Sequence, residues 1–304
     1  MDTRRVLAAI DEIAQAGCLY LLISGGEPLL HPDFGEIYRR SKENGLIVSV
    51  FTNATLIDRA TADLFAQWPP RLVEISLYGA TGPTYEAVTG VPGSFERCLR
   101  GIGHLRDHGI RFALKTVLMT LNRHEFGAIE SYARELGVRF RFDPAISARF
   151  DGNRAPVELR IPAAEAVARE FADRDRKVGW QRFAARWEQI VPASDELYQC
   201  GAGRTSFHIT PAGTLQPCLM VEDPAYDLAS GDFDQGWQYI RSMIGDIKVD
   251  PWNQCHRCSK RALCGYCPGF MKLESGTATG FSGFLCDLGD ARRAAIENAN
   301  RGET

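Results

Sequence analysis

The chain has 304 residues, 45% hydrophobic and 24% charged, with a formal net charge of −3 and an isoelectric point near 6.1. That length fits one large domain or two modest ones, and the near-balanced charge gives no electrostatic case for nucleic acid or an anionic membrane as partner. No apolar run approaches the roughly 20 residues of a membrane span, and the start Met1-Asp2-Thr3-Arg4-Arg5 lacks the apolar core of a secretory signal, so a cytoplasmic protein is expected.

The first half alternates helical and strand patterns. Val6, Leu7, Ile10 and Ile13 recur at helical spacing and Gly17 ends the segment. Leu19 to Ser24 is a short apolar run followed by a Gly-Gly-Glu-Pro turn. Helix is expected over 34–44, 57–68, 95–108 and 125–136, and strand over 47–51, 73–77, 111–118 and 138–142. Repeated strand–helix units with short links predict a parallel α/β sheet, closed fully or partly into a barrel. The chain opens on a helix, so a first strand is missing from that pattern. Polar and glycine-rich residues gather where strands end, at Ser24-Gly25-Gly26-Glu27, Thr52-Asn53 and Ser76. Strand C-terminal ends are where parallel barrels bind ligands.

Residues 144–151 read as a loop, and 162–173 and 180–191 as two helices, the second with a core-like stripe of Trp180, Phe183 and Trp187. From Cys200 onward Gly, Pro and Cys dominate and little helix is expected, as in a small domain held together by metal. The implied segments are 1–145, a helical linker 146–199, a cysteine-rich domain 200–290 and a C-terminal helix or tail 291–304.

Nine cysteines occur. Cys18 and Cys98 stand alone in apolar surroundings and read as buried free thiols. The other seven are Cys200, Cys218, Cys255, Cys258, Cys264, Cys267 and Cys286. Reducing cytosol and an odd number argue against a disulfide framework. The Cys255-x2-Cys258 and Cys264-x2-Cys267 spacings let both thiolates of a turn reach one metal centre. Thiolate ligands suit zinc or iron–sulfur clusters, and seven of them fit four plus three, which clusters tolerate more readily than structural zinc. Spacing leaves both metals open.

The run Cys200, Gly213-x4-Cys218, Cys255-x2-Cys258-x5-Cys264-x2-Cys267, Cys286 resembles the SPASM extension of radical S-adenosylmethionine (SAM) enzymes, with the spacing from Cys264 to Cys267 one residue short. Ser24-Gly25-Gly26-Glu27-Pro28 resembles the GGEP motif of the same family, and the stretch 85–105 its loop and helix after the fourth strand. The resemblance implies a partial (β/α)6-type radical SAM barrel missing its first strand, followed by a small cysteine-rich SPASM domain. It implies that Cys255, Cys258, Cys264 and Cys286 hold an outer auxiliary cluster, and that Cys200, Cys218 and Cys267 ligate an inner one whose fourth ligand is open. His208 and Ser206, between Cys200 and Cys218, are expected to be structural. Gly25, Gly26, Glu27 and Pro28 would cradle the methionine ammonium of SAM, the glycines admitting main-chain carbonyls. Thr52, Asn53 and Ser76 would bind its ribose and carboxylate. Lys115 would face a carboxylate inside the barrel, with Asn122 and Asp143 as weaker candidates.

The implied activity is radical hydrogen abstraction by a 5′-deoxyadenosyl radical in a peptide- or protein-modifying maturase. Its cofactors would be SAM and two auxiliary clusters of the 4Fe–4S type, and its reductant flavodoxin or ferredoxin. No catalytic residue is assigned. Leu219 stands where the sulfatase-maturing relatives usually have an Asp after the second cysteine, which disfavours that subgroup. The family's core-cluster motif CxxxCxxC occurs nowhere in the sequence. One truncation ahead of Met1 would account for both the absent motif and the absent strand, leaving this chain inactive by itself and the core 4Fe–4S cluster to a longer form. The competing expectations are a non-catalytic cluster scaffold or electron carrier, and a zinc-stapled interaction protein.

Overall fold

The computed structural model describes residues 1–187, 195–250 and 252–301. The chain forms two compact units: Met1–Asp143 with Pro211–Gly213 and Leu228–Gln235, and Pro144–Thr210 with Thr214–Asp227 and Gly236–Thr304.

The first unit starts with α1 (Thr3–Gln15), whose first turn is capped by Asp2 accepting from the Arg5 amide and whose buried stripe is Ala9, Ile10 and Ile13. There follow β1 (Tyr20–Ile23), α2 (Phe34–Glu43), β2 (Ile47–Thr52), α3 (Arg59–Gln67) and β3 (Leu72–Ser76). Next come α4 (Gly82–Thr89), α5 (Ser94–Asp107), β4 (Phe112–Val117), α6 (Phe126–Glu135) and β5 (Arg139–Asp143). The four expected strands and the apolar run at 19–24 form one parallel sheet in the order β1-β2-β3-β4-β5. The pattern of apolar runs punctuated by glycines was sufficient for this. α4 is the exception: residues 82–89 carry a weak apolar stripe, and the helix ends at Gly90 in the left-handed region at φ 68°.

Period-2 alternation divides the sheet into two faces. Val48, Val50, Val73, Ile75, Leu77 and Leu114 are fully buried on one, in a core shared with Ile13, Tyr38, Phe65, Ile102, Leu105 and Ile129 from the helices. Register places the alternate residues on the other face: Tyr20 and Leu22 beside Ile47 and Ser49, then Phe51 beside Glu74, Ser76 beside Lys115, and Lys115 beside Arg141. That second face holds the charge.

In the second unit, α7 (Ala163–Ala172) and α8 (Arg174–Trp187) precede a small antiparallel sheet of β6 (His208–Ile209), β7 (Thr214–Gln216) and β8 (Tyr226–Asp227). The end of the helix expected over 180–191 lies outside the described residues. Of the aromatic stripe on α8, Trp180 packs edge-on against Phe183, which is 41% exposed and so not core, while the Trp187 side chain lies outside what is described.

The expectation of little helix after Cys200 is also wrong. α9 (Phe233–Asp246), α10 (Arg261–Cys264), α11 (Pro268–Ser275) and α12 (Gly283–Arg301) all lie there, and of these only the end of α12 was expected, within the helix or tail 291–304. α11 opens on a proline at its first position, which reads as a break but suits a helix start. The buried positions of α12 are Leu285, Leu288, Gly289, Arg292 and Ile296, a helical period partly written in glycine and arginine and so invisible to a hydrophobic count. Arg292 is tolerated there because its guanidinium donates to both carboxylate oxygens of Glu170 at 2.9 and 2.6 Å and to the Leu263 carbonyl at 2.7 Å.

Candidate cofactor sites

The Gly-Gly-Glu-Pro turn leaves the C-terminal end of β1. A Cβ added at Gly25 or Gly26 would meet no atom within 4 Å, so the backbone of this turn faces open space. Glu27 points the other way. Its Oε1 accepts from the Leu29 amide at 3.1 Å and the Thr52 hydroxyl at 2.8 Å, and its Oε2 accepts from the Asn53 amide at 2.8 Å. The Thr52 hydroxyl also accepts from the Ala54 amide at 3.0 Å, and Asn53 Oδ1 accepts from the amide and hydroxyl of Thr55. The structure therefore joins Glu27, Thr52 and Asn53 in one network that ties the turn to the end of β2, while Pro28 begins a single 3-10 turn.

Gly101 of α5 supports that network from behind. A Cβ there would lie 2.1 Å from the Ala54 carbonyl oxygen, and Ala54 itself has φ 62°. Only glycine permits this approach.

Further along the sheet, Ser76 ends β3 in register with Lys115. Lys115 Nζ lies 3.8 Å from Glu74 Oε2 and 3.8 Å from the Phe51 ring centroid. Glu74 is 4% exposed and is held mainly by Arg141, whose Nε and Nη2 donate to its two oxygens at 2.5 and 2.6 Å. Burial pushes the Lys115 ammonium pKa down and Arg141 adds to that, while Glu74 and Asp143 act upward. Glu74, Arg141 and Phe51 were absent from the sequence-based site. The available signal was a glutamate inside Leu-Val-Glu-Ile-Ser, since a carboxylate in a buried parallel strand requires a partner.

Asn122 is completely buried. It accepts from the Met119 amide at 2.9 Å and donates to the Val117 carbonyl at 2.9 Å, bracing the turn after β4 rather than facing a ligand. Asp143 ends β5. Cys98 is buried, which pushes its thiol up to about 12, and Cys18 donates to the Tyr20 carbonyl at 3.3 Å.

The seven C-terminal cysteines are all free thiols in the second unit. Burial raises the Cys255 thiol pKa, and Cys258 and Cys286 push it the same way. Burial takes Cys264 up to about 11, with Cys258, Cys255 and Cys286 adding to it. In a separate neighbourhood, burial raises Cys218, with Cys267 and Cys200 contributing, and Cys267, with Cys200 contributing. Cys258 and Cys286 thus bear on Cys255 and Cys264, and Cys200 bears on Cys218 and Cys267. Among the described residues no three Cys, His, Asp or Glu side chains form a ready ligand set for a single metal ion. His208 lies in β6 paired with Gln216, and burial lowers its pKa.

Comparison with known proteins matches residues 1–133 to the radical SAM superfamily. AdoMet-dependent heme synthase of Nitratidesulfovibrio vulgaris is 32% identical over 295 residues, covering 88% of this chain and 78% of the relative. The chain belongs to the radical SAM superfamily. AdoMet-dependent heme synthase of Methanosarcina barkeri is 37% identical over 128 residues, 42% of this chain and 37% of its own length. Mycofactocin maturase MftC of Mycobacterium ulcerans is 28% identical over 304 residues, 94% of this chain and 78% of the relative. Among solved structures, Streptococcus suis SuiB bound to the precursor peptide SuiA superposes with a TM-score of 0.70 at 18% identity, covering 94% of this chain and 69% of SuiB. Native anSMEcpe with bound AdoMet gives 0.68 at 15% identity, covering all of this chain and 91% of that one. At those identities the structures establish the shared radical SAM and SPASM fold.

The residues present fit SAM, because the Gly25–Gly26 backbone is open and polar groups end the neighbouring strands. The seven cysteine donors of the second unit fit iron–sulfur ligation by their chemistry. The family's core cluster finds no ligand set in the first unit, whose cysteines are Cys18 and Cys98.

Proposed function

We propose that this chain carries the SAM site and two auxiliary iron–sulfur clusters of a radical SAM maturase acting on a peptide or protein. The observation that carries the reading is the open Gly25–Gly26 backbone at the end of β1, beside polar strand ends, in a chain with seven further cysteines in its second unit. SAM, once reduced, supplies a 5′-deoxyadenosyl radical able to abstract a hydrogen atom.

In this reading Gly25 and Gly26 present backbone groups to the methionine ammonium, and Pro28 limits the turn. Glu27 and Thr52 hold the turn in place from below, a supporting part in place of the direct contact expected of Glu27. Asn53, Ser76 and Lys115 face ribose and carboxylate, and the Glu74 carboxylate keeps Lys115 charged and oriented. Cys255, Cys258, Cys264 and Cys286 hold the outer cluster and Cys200, Cys218 and Cys267 the inner. A flavodoxin- or ferredoxin-type protein would deliver electrons. A peptide substrate is favoured by the likeness to MftC over 94% of the chain and by the fold shared with peptide-bound SuiB. The two heme synthase relatives support a second reading, an iron porphyrin substrate in the same barrel.

No CxxxCxxC is present among the 304 residues, so binding rather than turnover tests the proposal. After anaerobic reconstitution, iron and sulfide should reach about two clusters per chain and SAM should bind in equilibrium dialysis. Zinc without iron or sulfide would overturn the cluster assignment, and no SAM binding would overturn the cradle. Titration with iron porphyrin, followed by its visible absorbance, separates the two substrates: saturable binding at one site favours porphyrin, and its absence favours peptide.

A further inference from the structure

Arg160, Arg292 and Arg141 each bind both oxygens of a largely buried glutamate, but Arg141 does so differently. In the second unit all three guanidinium nitrogens are bonded: Arg160 to Glu274 and the Ile146 carbonyl, Arg292 to Glu170 and the Leu263 carbonyl. Those two side chains are 11% and 10% exposed. In the first unit Arg141 gives only Nε and Nη2 to Glu74, and its side chain is 52% exposed. Among the described residues Arg141 Nη1 has no acceptor. Arg40 uses the same two nitrogens on Asp11, but Asp11 is itself 27% exposed, an ordinary surface bridge. Glu74 is instead buried within the sheet, where a carboxylate is costly to place.

The neighbouring cation is also short of acceptors. Lys115 Nζ is 3.8 Å from Glu74 Oε2, beyond hydrogen-bonding distance, and among the described residues it donates to no other group. Asp143, two residues beyond Arg141, acts on both cations through space but leaves these nitrogens unfilled. Ser76, Lys115 and Arg141 are partners in register, so they form one row across β3, β4 and β5. β5 is the last strand of the sheet. The row therefore runs from the groups assigned to SAM outward to Arg141 at the open edge.

We propose that the Nη1–Nη2 edge of Arg141 receives a carboxylate of the substrate, and that Glu74 aims it. This deepens the function proposed above and rests on it. Reaction with a group generated from SAM requires the substrate to be held beside SAM in a fixed pose, and Arg141 supplies a hold at the end of the same row. A guanidinium is a planar fork with two edges that match a carboxylate. Glu74 occupies the Nε–Nη2 edge and fixes the plane, so the remaining edge is oriented before a ligand arrives. The carboxylate belongs to an Asp, a Glu or a chain terminus where the substrate is a peptide, and to a ring side arm where it is an iron porphyrin.

The test measures binding to the reconstituted full chain with SAM present, using two matched pairs of probes. Iron protoporphyrin is compared with its dimethyl ester by visible absorbance, and a short Glu-containing peptide with its Gln counterpart by calorimetry. The parent protein should prefer the acid in one pair by about tenfold or more, the size of a charge-assisted hydrogen bond. The pair that shows the preference identifies the source of the carboxylate. Arg141→Gln should remove the preference while SAM still binds. No preference in either pair, an undiminished preference in Arg141→Gln, or loss of SAM binding in that variant would overturn the proposal. If Arg141→Gln fails to fold, Glu74→Gln with Arg141→Gln keeps the shape of the pair without its charges. A preference lost in that protein supports the proposal, and one retained refutes it. Absence of SAM binding in the parent protein sinks the function proposed above, a distinct result.

Discussion

Glu27 and Thr52 are hydrogen-bonded across the ends of two adjacent parallel strands, Thr52 Oγ1 donating to Glu27 Oε1 at 2.8 Å. Thr52 is 4% exposed and its oxygen also receives the Ala54 amide, so one hydroxyl links the glycine turn to the loop after β2. Thr52→Val keeps the shape and removes both bonds. It should lower stability by about 1–3 kcal/mol, the cost of leaving a buried amide and carboxylate oxygen without their partner. Urea unfolding gives the loss directly. SAM affinity should also fall, because the turn would no longer be held to β2. A stability change with unaltered affinity would restrict the network to folding.

Gly26 and Gly101 separate the site from its support. Gly26→Val adds atoms to open space, so the protein should fold normally while SAM affinity drops at least about tenfold, ~1.4 kcal/mol. Gly101→Ala does the reverse. Its Cβ would overlap the Ala54 carbonyl at 2.1 Å, so it should destabilise by ~1–3 kcal/mol as overpacking does. Equilibrium dialysis and thermal unfolding on both variants resolve the two effects. Retained affinity in Gly26→Val would place the cofactor elsewhere.

On the charged face of the sheet, Glu74 is the carboxylate that keeps the pKa of half-buried Lys115 from falling further. Glu74→Gln removes that support while burial and Arg141 continue to act downward, so the Lys115 pKa should drop below its value in the parent protein. An NMR titration of the lysine side-chain methylene resonances measures this. Stability should fall by about 1–3 kcal/mol rather than the larger cost of a fully buried pair, because the Arg141 side chain is 52% exposed and can turn to water.

Glu125 makes acid stability depend on α4. Burial would raise its pKa, but the hydroxyls of Thr81 and Thr84 and the amides of Ala80 and Thr81 outweigh that and bring it below the ordinary 4.5. Its contribution is complete above the unfolded value of 4.5 and is lost as pH falls through the lower folded value. Glu125→Gln should therefore cost about 1–2 kcal/mol at pH 7, with the difference from the parent shrinking below pH 4.5. Urea midpoints across that range would show it, and a pH-independent difference would count against the assignment.

This cap also marks where sequence reading stopped. The strands, the GGEP turn and the spacing of seven cysteines were legible because each lies within a short window: β-branched runs, paired glycines, fixed Cys intervals. α4 was not, because what stabilises its start comes from Glu125, 44 residues from Thr81. Glu74 and Arg141 meet through register across β3, β4 and β5 at a separation of 67 residues. Long-range pairs of this kind leave only an odd charge in an apolar strand. α12 was expected only as a helix or tail over 291–304, and its start at Gly283 was missed because its buried face includes glycine and an arginine whose partner is on α7.

That arginine allows a test of what the second unit owes to specific pairing. Arg292 and Glu170 have side chains 10% and 8% exposed, joined through two hydrogen bonds, with the Arg292 guanidinium also 4.4 Å from the Trp180 ring centroid. Removing one partner strands a buried charge, so Glu170→Ala and Arg292→Met should each cost ~3–5 kcal/mol. Replacing both, as Glu170→Leu with Arg292→Met, leaves no buried charge and should cost much less than the sum, although the Leu263 carbonyl then loses its donor at 2.7 Å. The four proteins of the cycle Glu170→Leu, Arg292→Met, the double variant and the parent, compared by urea unfolding, yield the coupling. Strict additivity would mean that the two side chains are solvated independently, which their burial on α7 and α12 forbids.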